Sequence, residues 1–456
     1  MRPAALRRLA EEVAAAGLNT LIVEWEAAFP YRRNATLSHG LAYSPVEVGA
    51  FIRHCCSLGL EVIPLQQTLG HLEYVLRHPR YMVAREDTRD LCQLCPRKPT
   101  EARRLLRGLL EDVRELHDGP FIHLGGDEAY LLGHCPVCRT YAQTHGLSQL
   151  YATHMRNVIA EARALGWRPV IWADMLLKHP ECAGLLPTDT VLVDWNYGWA
   201  RDRFGDPKKL LDRGFEIWGA AALRSAPDNH SLTWWDRHLC NFRDFIPQAA
   251  RDSYRGMLLT SWSTSGIYGY ERDGSAGEVV TALRPIRRVY PLNGHSLLLA
   301  AFKQALAHPG SFEPQKFLLE YAAGRFGLAA ADRQAFAAAL IAQAPNGRSP
   351  TRDLASIHPR RHRAEFAHLR LIEDFHRLNR ETLQIAAHFN GENYTRPSAR
   401  TLLRRVAPLV RRSRTLELRY RRLQQNYLPT VEISEDSAYR RKSLFNLHAA
   451  LRNQVR

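Results

Sequence analysis

The feature that most constrains this chain is a recurrence of short β-rich runs separated by segments with helical periodicity. They are Asn19 to Trp25, Leu60 to Gln66, Pro120 to Gly125, Arg168 to Trp172, Thr190 to Trp195, Phe215 to Trp218 and Gly256 to Trp262. Strand-length apolar runs alternating with helices predict βα units around a parallel sheet. Helix starts are readable between them: Ser44-Pro45 caps one, and Thr100 precedes Glu101-Ala102-Arg103-Arg104-Leu105-Leu106 in another. The chain opens inside a helix, with Leu6, Leu9 and Val13 on one face. Nearly every run ends in a polar or aromatic residue, which suits an α/β barrel, whose C-terminal strand ends form the active-site face.

After about residue 275 the strand signals stop. Phe366, Leu369, Ile372 and Phe375 fall on one helix face, and Leu402, Val406, Leu409, Leu416, Tyr420, Leu423 and Tyr427 on another, as packing faces of a bundle should. The expected division is therefore a barrel over 1–275 and an all-α, Arg-rich C-terminal region over 276–456. The 456 residues are ample for both.

Composition removes other classes. Apolar residues form 45% and charged ones 24%, ordinary globular values. No apolar run approaches the roughly 20 residues that span a bilayer, so no membrane partner is expected. The N-terminal stretch is interrupted by charges where an export signal would be apolar, which reads as cytoplasmic. The net charge of +16, from 62 Lys and Arg against 46 Asp and Glu, raises nucleic-acid binding. The arginines crowd the last third, however, as at Arg411 to Arg414 and Arg419 to Arg422, so a solvated helix face explains them better.

The sharpest chemical feature is His123-Leu124-Gly125-Gly126-Asp127-Glu128 at a strand end. Adjacent carboxylates after two glycines are costly unless their surroundings split their pKa values, as acid/base chemistry requires. The same residues also suit a helix N-cap with acidic residues in its first turn. Eight cysteines include two Cys-x-x-Cys knuckles, Cys92/Cys95 and Cys135/Cys138. That spacing suits one structural zinc held by all four thiolates; reduced thiols and disulfides are the alternatives.

Taken together, the motifs resemble the β-N-acetylhexosaminidases of glycoside hydrolase family 20, over about residues 4 to 270. They are Val23-Glu24-Trp25-Glu26, Ile63 to Tyr74 with Gly70-His71, His-x-Gly-Gly-Asp-Glu, Trp172-Ala173-Asp174-Met175, Asp194-Trp195-Asn196-Tyr197 and Ser261-Trp262-Ser263. The resemblance implies a TIM-type (β/α)8 barrel and retaining, substrate-assisted hydrolysis of terminal GlcNAc or GalNAc β-glycosides, with the 2-acetamido group as nucleophile. By motif position Asp127 would orient that group, Glu128 would be the general acid/base, His71 would steer the acid/base carboxylate and Tyr197 would donate to the acetamido oxygen. Glu24, Trp172, Trp195, Trp218 and Trp262 would bind the sugar. A core role is the alternative for His71 and for any single tryptophan.

The family's chemistry needs no cofactor, so zinc would only brace loops. The implied partners are small amino-sugar glycosides, with nucleic acid disfavoured and homo-oligomerisation left open. Two departures stand out. No strand precedes the first helix, where the family has its first, so the barrel would have an unclosed seam unless the true start lies upstream or the eighth stave comes from elsewhere; a degraded relative is the third alternative. The glutamate expected two residues after Trp262 is Thr264. These departures keep a second reading alive, a catalytically impaired relative that binds sugar or nucleic acid. A chitinase-like barrel is disfavoured because its Asp-x-Asp-x-Glu spacing is missing.

Overall fold

A computed structural model of the chain describes residues 1–225, 233–262, 295–342 and 354–455. Seven parallel strands form one sheet in the order β1 to β7. They are β1 Thr20–Glu24, β2 Glu61–Leu65, β3 Phe121–His123, β4 Arg168–Trp172, β5 Val191–Trp195, β6 Ile217–Arg224 and β7 Gly256–Ser261. Each strand pairs with its sequence neighbour, and helices cross over between them, which is the (β/α) barrel pattern. Among the described residues β1 and β7 are the two ends of the sheet, which is where the sequence reading expects a seam.

The strands form where branched and aromatic residues concentrate, and the first crossover starts at a readable cap. Ser44 and Glu47 make a reciprocal capping box at the helix Pro45–Ser57, with Ser44 Oγ accepting from the Glu47 N–H at 3.2 Å and Glu47 Oε2 accepting from the Ser44 N–H at 2.8 Å. The inside of the sheet is filled by Leu65, Val170, Trp172, Val191, Val193 and Ala220. A larger core, reaching from Leu6 to Ile217, lies between the strands and the outer helices.

The sixth strand corrects the sequence reading. It does not stop at Trp218 but continues to Arg224, through Ala220, Ala221 and Ala222, all fully buried. Trp218 is therefore the second residue of its strand and sits near the N-terminal end of the sheet.

The helices His295–Ala307, Pro314–Phe326 and Ala330–Ile341 share a core with the barrel helix Trp235–Arg251, for example through Phe242 and Phe302 at 5.5 Å. Beyond them Arg363–Phe389, Ser398–Gln424 and Thr430–Val455 pack around a separate core. The two apolar stripes fall where expected, with Phe366, Leu369, Val406 and Tyr420 buried. Part of the arginine excess is consumed inside this bundle: Arg412 pairs with Glu381 at 2.9 Å, Arg419 with Asp374 at 2.5 Å, and buried Arg440 with Glu417 and Asp436. The bundle also grips the N-terminal helix Pro3–Ala15, since the Arg2 N–H donates to Tyr427 O at 2.7 Å and Arg8 Nη2 to Asn426 O at 2.9 Å. No helix among the described residues is long and apolar enough to cross a membrane.

Candidate active site

Two loops at the C-terminal ends of β2 and β3 build the centre. After β3 the backbone turns through Gly125 (φ +66°) and Gly126 (φ +88°), where a side chain would be both strained and blocked. A Cβ on Gly125 would lie 1.8 Å from Gln67 Oε1. After β2, Gly70 approaches so closely that its Cβ would stand 2.7 Å from the Asp127 carbonyl oxygen. The close approach brings His71 onto the carboxylates: its Nε2 lies 3.4 Å from Asp127 Oδ2 and 3.3 Å from Glu128 Oε2. His71 (φ +54°) and Glu128 (φ +47°) both hold left-handed backbone, a strain typical of functional sites.

The environment separates the charges. Burial opposes a charge on His71, but the Asp127 and Glu128 carboxylates outweigh it and hold the imidazole protonated well above its ordinary range. Burial likewise opposes the Glu128 carboxylate, yet His71 and the Tyr130 hydroxyl, donating at 2.5 Å, keep it below its usual value. Asp127 Oδ1 is buried and has no hydrogen-bond partner among the described residues. Fully buried Asp174 accepts from the Glu128 N–H at 3.3 Å and from Lys178 at 3.1 Å. Burial, with Asp127 nearby, lifts it to about 6.

Glu24, at the end of β1, accepts from Gln67 Nε2 at 3.0 Å, and burial raises it to about 7, with His71 and Asp127 close enough to act on it. Deeper, burial drives His123 down to about 3, so its neutral ring accepts the Gly125 N–H at 3.1 Å and packs on Trp172 at 4.4 Å. Trp172 meets Trp262 at 5.7 Å, the Trp262 indole N–H donates to Tyr197 Oη at 2.7 Å, and Tyr197 packs on Trp195 at 5.2 Å. The Trp172 and Trp195 indole nitrogens are buried with no hydrogen-bond partner among the described residues.

The structure thus gathers Asp127, Glu128, His71, Glu24, Tyr197, Trp172, Trp195 and Trp262 around one strand-end cleft. Trp218 does not join them. Its indole N–H donates to Glu216 at 2.8 Å, and its ring meets Phe121, the first residue of β3, at 5.9 Å. That places it at the opposite end of the strands. Ser263 and Thr264 lie outside the described residues. Sequence reasoning left Asp174, Lys178, Gln67 and Tyr130 unassigned; Asp174 and Gln67 were visible inside the quoted motifs, whereas nothing local marks Tyr130.

The four-cysteine set also needs correction. Cys95, Cys135 and Cys138 cluster with Glu86, while Cys92 groups with His71 and Glu73. The reason is conformational. Residues 93–94 are extended, with Glu86 N–H donating to Gln93 O and Leu94 N–H to Leu69 O, so thiols three residues apart project to opposite sides.

The catalytic-domain profile of glycosyl hydrolase family 20 matches residues 23–217. Hexosaminidase D of Bos taurus is 34% identical over 265 residues, covering 54% of this chain and 76% of the relative. Hexosaminidase D of Homo sapiens is 34% identical over 272 residues, and the chain spans only 56% of that relative's length. Among solved structures, Streptomyces plicatus N-acetyl-β-hexosaminidase aligns with a TM-score of 0.48 at 15% identity, covering 76% of this chain and 68% of that one. The β-N-acetylhexosaminidase of Bacteroides fragilis aligns with 0.47 at 16% identity, covering 66% and 63%. The chain belongs to glycosyl hydrolase family 20.

Proposed function

We propose that the chain is a β-N-acetylhexosaminidase that releases terminal non-reducing GlcNAc or GalNAc from β-glycosides with retention. The observation that carries this is the pairing of Glu128 with a neighbouring carboxylate whose Oδ1 is buried without a donor among the described residues, both bracketed by one imidazolium. The acetamido N–H of a bound sugar would donate to Asp127 Oδ1. Its carbonyl oxygen then attacks the anomeric carbon while Glu128 protonates the departing oxygen, and the Asp127 carboxylate offsets the charge of the oxazolinium. Glu128, now ionised, takes the proton of the water that opens the ring. The low value of Glu128 in the open cleft suits that second step; a bound sugar strips water from the carboxyl and favours the protonated form needed for the first.

His71 fixes the position of both carboxylates. Tyr197 hydrogen-bonds the acetamido oxygen, Trp172, Trp195 and Trp262 surround the acetyl methyl and sugar face, and Glu24 reaches the hydroxyls. The natural partner in this reading is a small amino-sugar glycoside, and the setting is cytoplasmic, which the eight free cysteines support. The catalytic unit is residues 1–275, with the helical region 276–456 as its support.

The test is hydrolysis of aryl N-acetyl-β-glucosaminide and galactosaminide by the full chain, beside Asp127→Asn and Glu128→Gln. Each variant should lose about 10²–10⁴-fold in kcat. Glu128→Gln should lose least with the most acidic phenol, which needs no protonation. Variants as active as the parent would sink the assignment.

A further inference from the structure

A second constellation of reactive side chains lies beside the cleft and plays no part in the chemistry above. Residues 84–95 fold back on themselves through an antiparallel bridge between Arg85 and Leu94, with Cys95 N–H donating to Ala84 O at 2.8 Å. This presents Glu86 and Cys95 from its two arms. Cys135 caps the helix Pro136–His145, so Cys135 and Cys138 face the same point from the helix's first turn. All four side chains are buried, and their ligand atoms lie within 4.8 Å of one another.

The spacing discriminates between the ways such a cluster can be satisfied. Cys95 Sγ lies 3.6 Å from Cys135 Sγ and 3.5 Å from Cys138 Sγ, and Cys138 Sγ lies 3.2 Å from Glu86 Oε2. A disulfide needs about 2.05 Å between one chosen pair; here one sulfur is equidistant from two others. A tetrahedron with metal–sulfur bonds of about 2.3 Å has edges near 3.8 Å, close to the separations found. Thiols packed only as small apolar groups would not gather a buried carboxylate among them. The hydrogen bonds Glu86 accepts come from the Cys135 N–H at 2.9 Å and the Cys138 thiol.

We propose that Glu86, Cys95, Cys135 and Cys138 bind one zinc ion in a tetrahedral site of three sulfurs and one oxygen. Soft thiolates in tetrahedral array select zinc over the hard cations. Three thiol protons pass to water as the zinc–sulfur bonds form. The excess negative charge is met by the helix N-terminus and by the Cys138 N–H, which points at Cys135 Sγ at 3.3 Å.

The ion would tie both catalytic loops to one anchor. From the folded-back segment, Leu94 N–H donates to Leu69 O and Cys92 O accepts from the Leu72 N–H, on either side of His71; Gln93 Oε1 accepts from the Leu131 N–H at 2.8 Å, just beyond Glu128.

The experiment is elemental analysis of the full chain purified with zinc present, followed by exchange with cobalt(II). About one zinc per chain is expected, with thiolate-to-cobalt charge-transfer bands and the intense visible bands of tetrahedral cobalt. Glu86→Gln and Cys95→Ser should lose the ion or its tetrahedral spectrum, whereas Cys92→Ser should keep both. Removal of zinc should speed amide exchange at residues 69–72 and 93–95. Substoichiometric zinc with an octahedral cobalt spectrum, a Cys95 disulfide in unreduced peptide maps, or equal loss of metal in Cys92→Ser would each overturn the site. None of these readouts depends on which glycoside is cleaved.

Discussion

His71 and Glu128 adopt the same left-handed backbone conformation, which neither residue type favours, and their side chains meet at 3.3 Å. Each turn is bent so that the other's side chain can be reached. The strain of about 1–3 kcal/mol per residue persists only because the surrounding loops enforce it.

The first consequence concerns pH. His71 is the principal group holding the Glu128 carboxyl down. In His71→Asn that cation is gone, so Glu128 should keep its proton to higher pH. The alkaline limb of the kcat/KM profile should therefore move upward while the maximum falls by about tenfold or more from lost positioning. An unmoved limb would show that His71 does not couple to the acid.

Gly70→Ala tests the contact between the loops. Its Cβ would lie 2.7 Å from the backbone oxygen of Asp127, which no rotamer change can relieve. Displacement of Asp127 should lower kcat by roughly 10²-fold with the circular dichroism spectrum unchanged. A variant with parental kcat would mean that the loops separate without cost.

Trp218 and Trp262 should behave oppositely. Trp262→Ala removes a wall of the cleft and should raise KM by about tenfold or more, whereas Trp218→Phe should change it by less than about twofold. Michaelis curves for the two variants decide this, and comparable rises would contradict the placement of Trp218.

Asp194 offers a test of stability against pH. Burial raises it from 3.8 to about 6, although Tyr254 donates to it at 2.6 Å. Because the folded state prefers the protonated acid, this group stabilises the fold below pH 4 and loses that effect as pH climbs through 6. Asp194→Asn should thus melt progressively above the parent as pH rises from 4 to 7, by up to about 3 kcal/mol. A constant difference across that range would reject the shift.

All seven strands were legible because each carries a run of branched or aromatic residues. What misled was the length of β6: Ala220-Ala221-Ala222 has little strand propensity, yet methyl groups are what fits there. The carboxylates, His71 and the aromatic wall were legible because their neighbours in sequence form recognisable motifs. Glu86 was not, since its approach to Cys138 depends on a hairpin that spacing alone does not reveal, and the equal Cys-x-x-Cys spacings concealed that only the helical pair converges.

The clasp between residues 2–8 and 426–428 has a consequence for how the molecule can be divided. The helix that leads into the barrel is anchored by the junction between the helices Ser398–Gln424 and Thr430–Val455, with Arg8 and Asn426 standing 418 positions apart in sequence. A protein trimmed back to its sheet and crossover helices would lose the partner of its opening helix, which leads directly into β1. The two regions, separate in sequence, should then unfold together, as a single calorimetric transition would show.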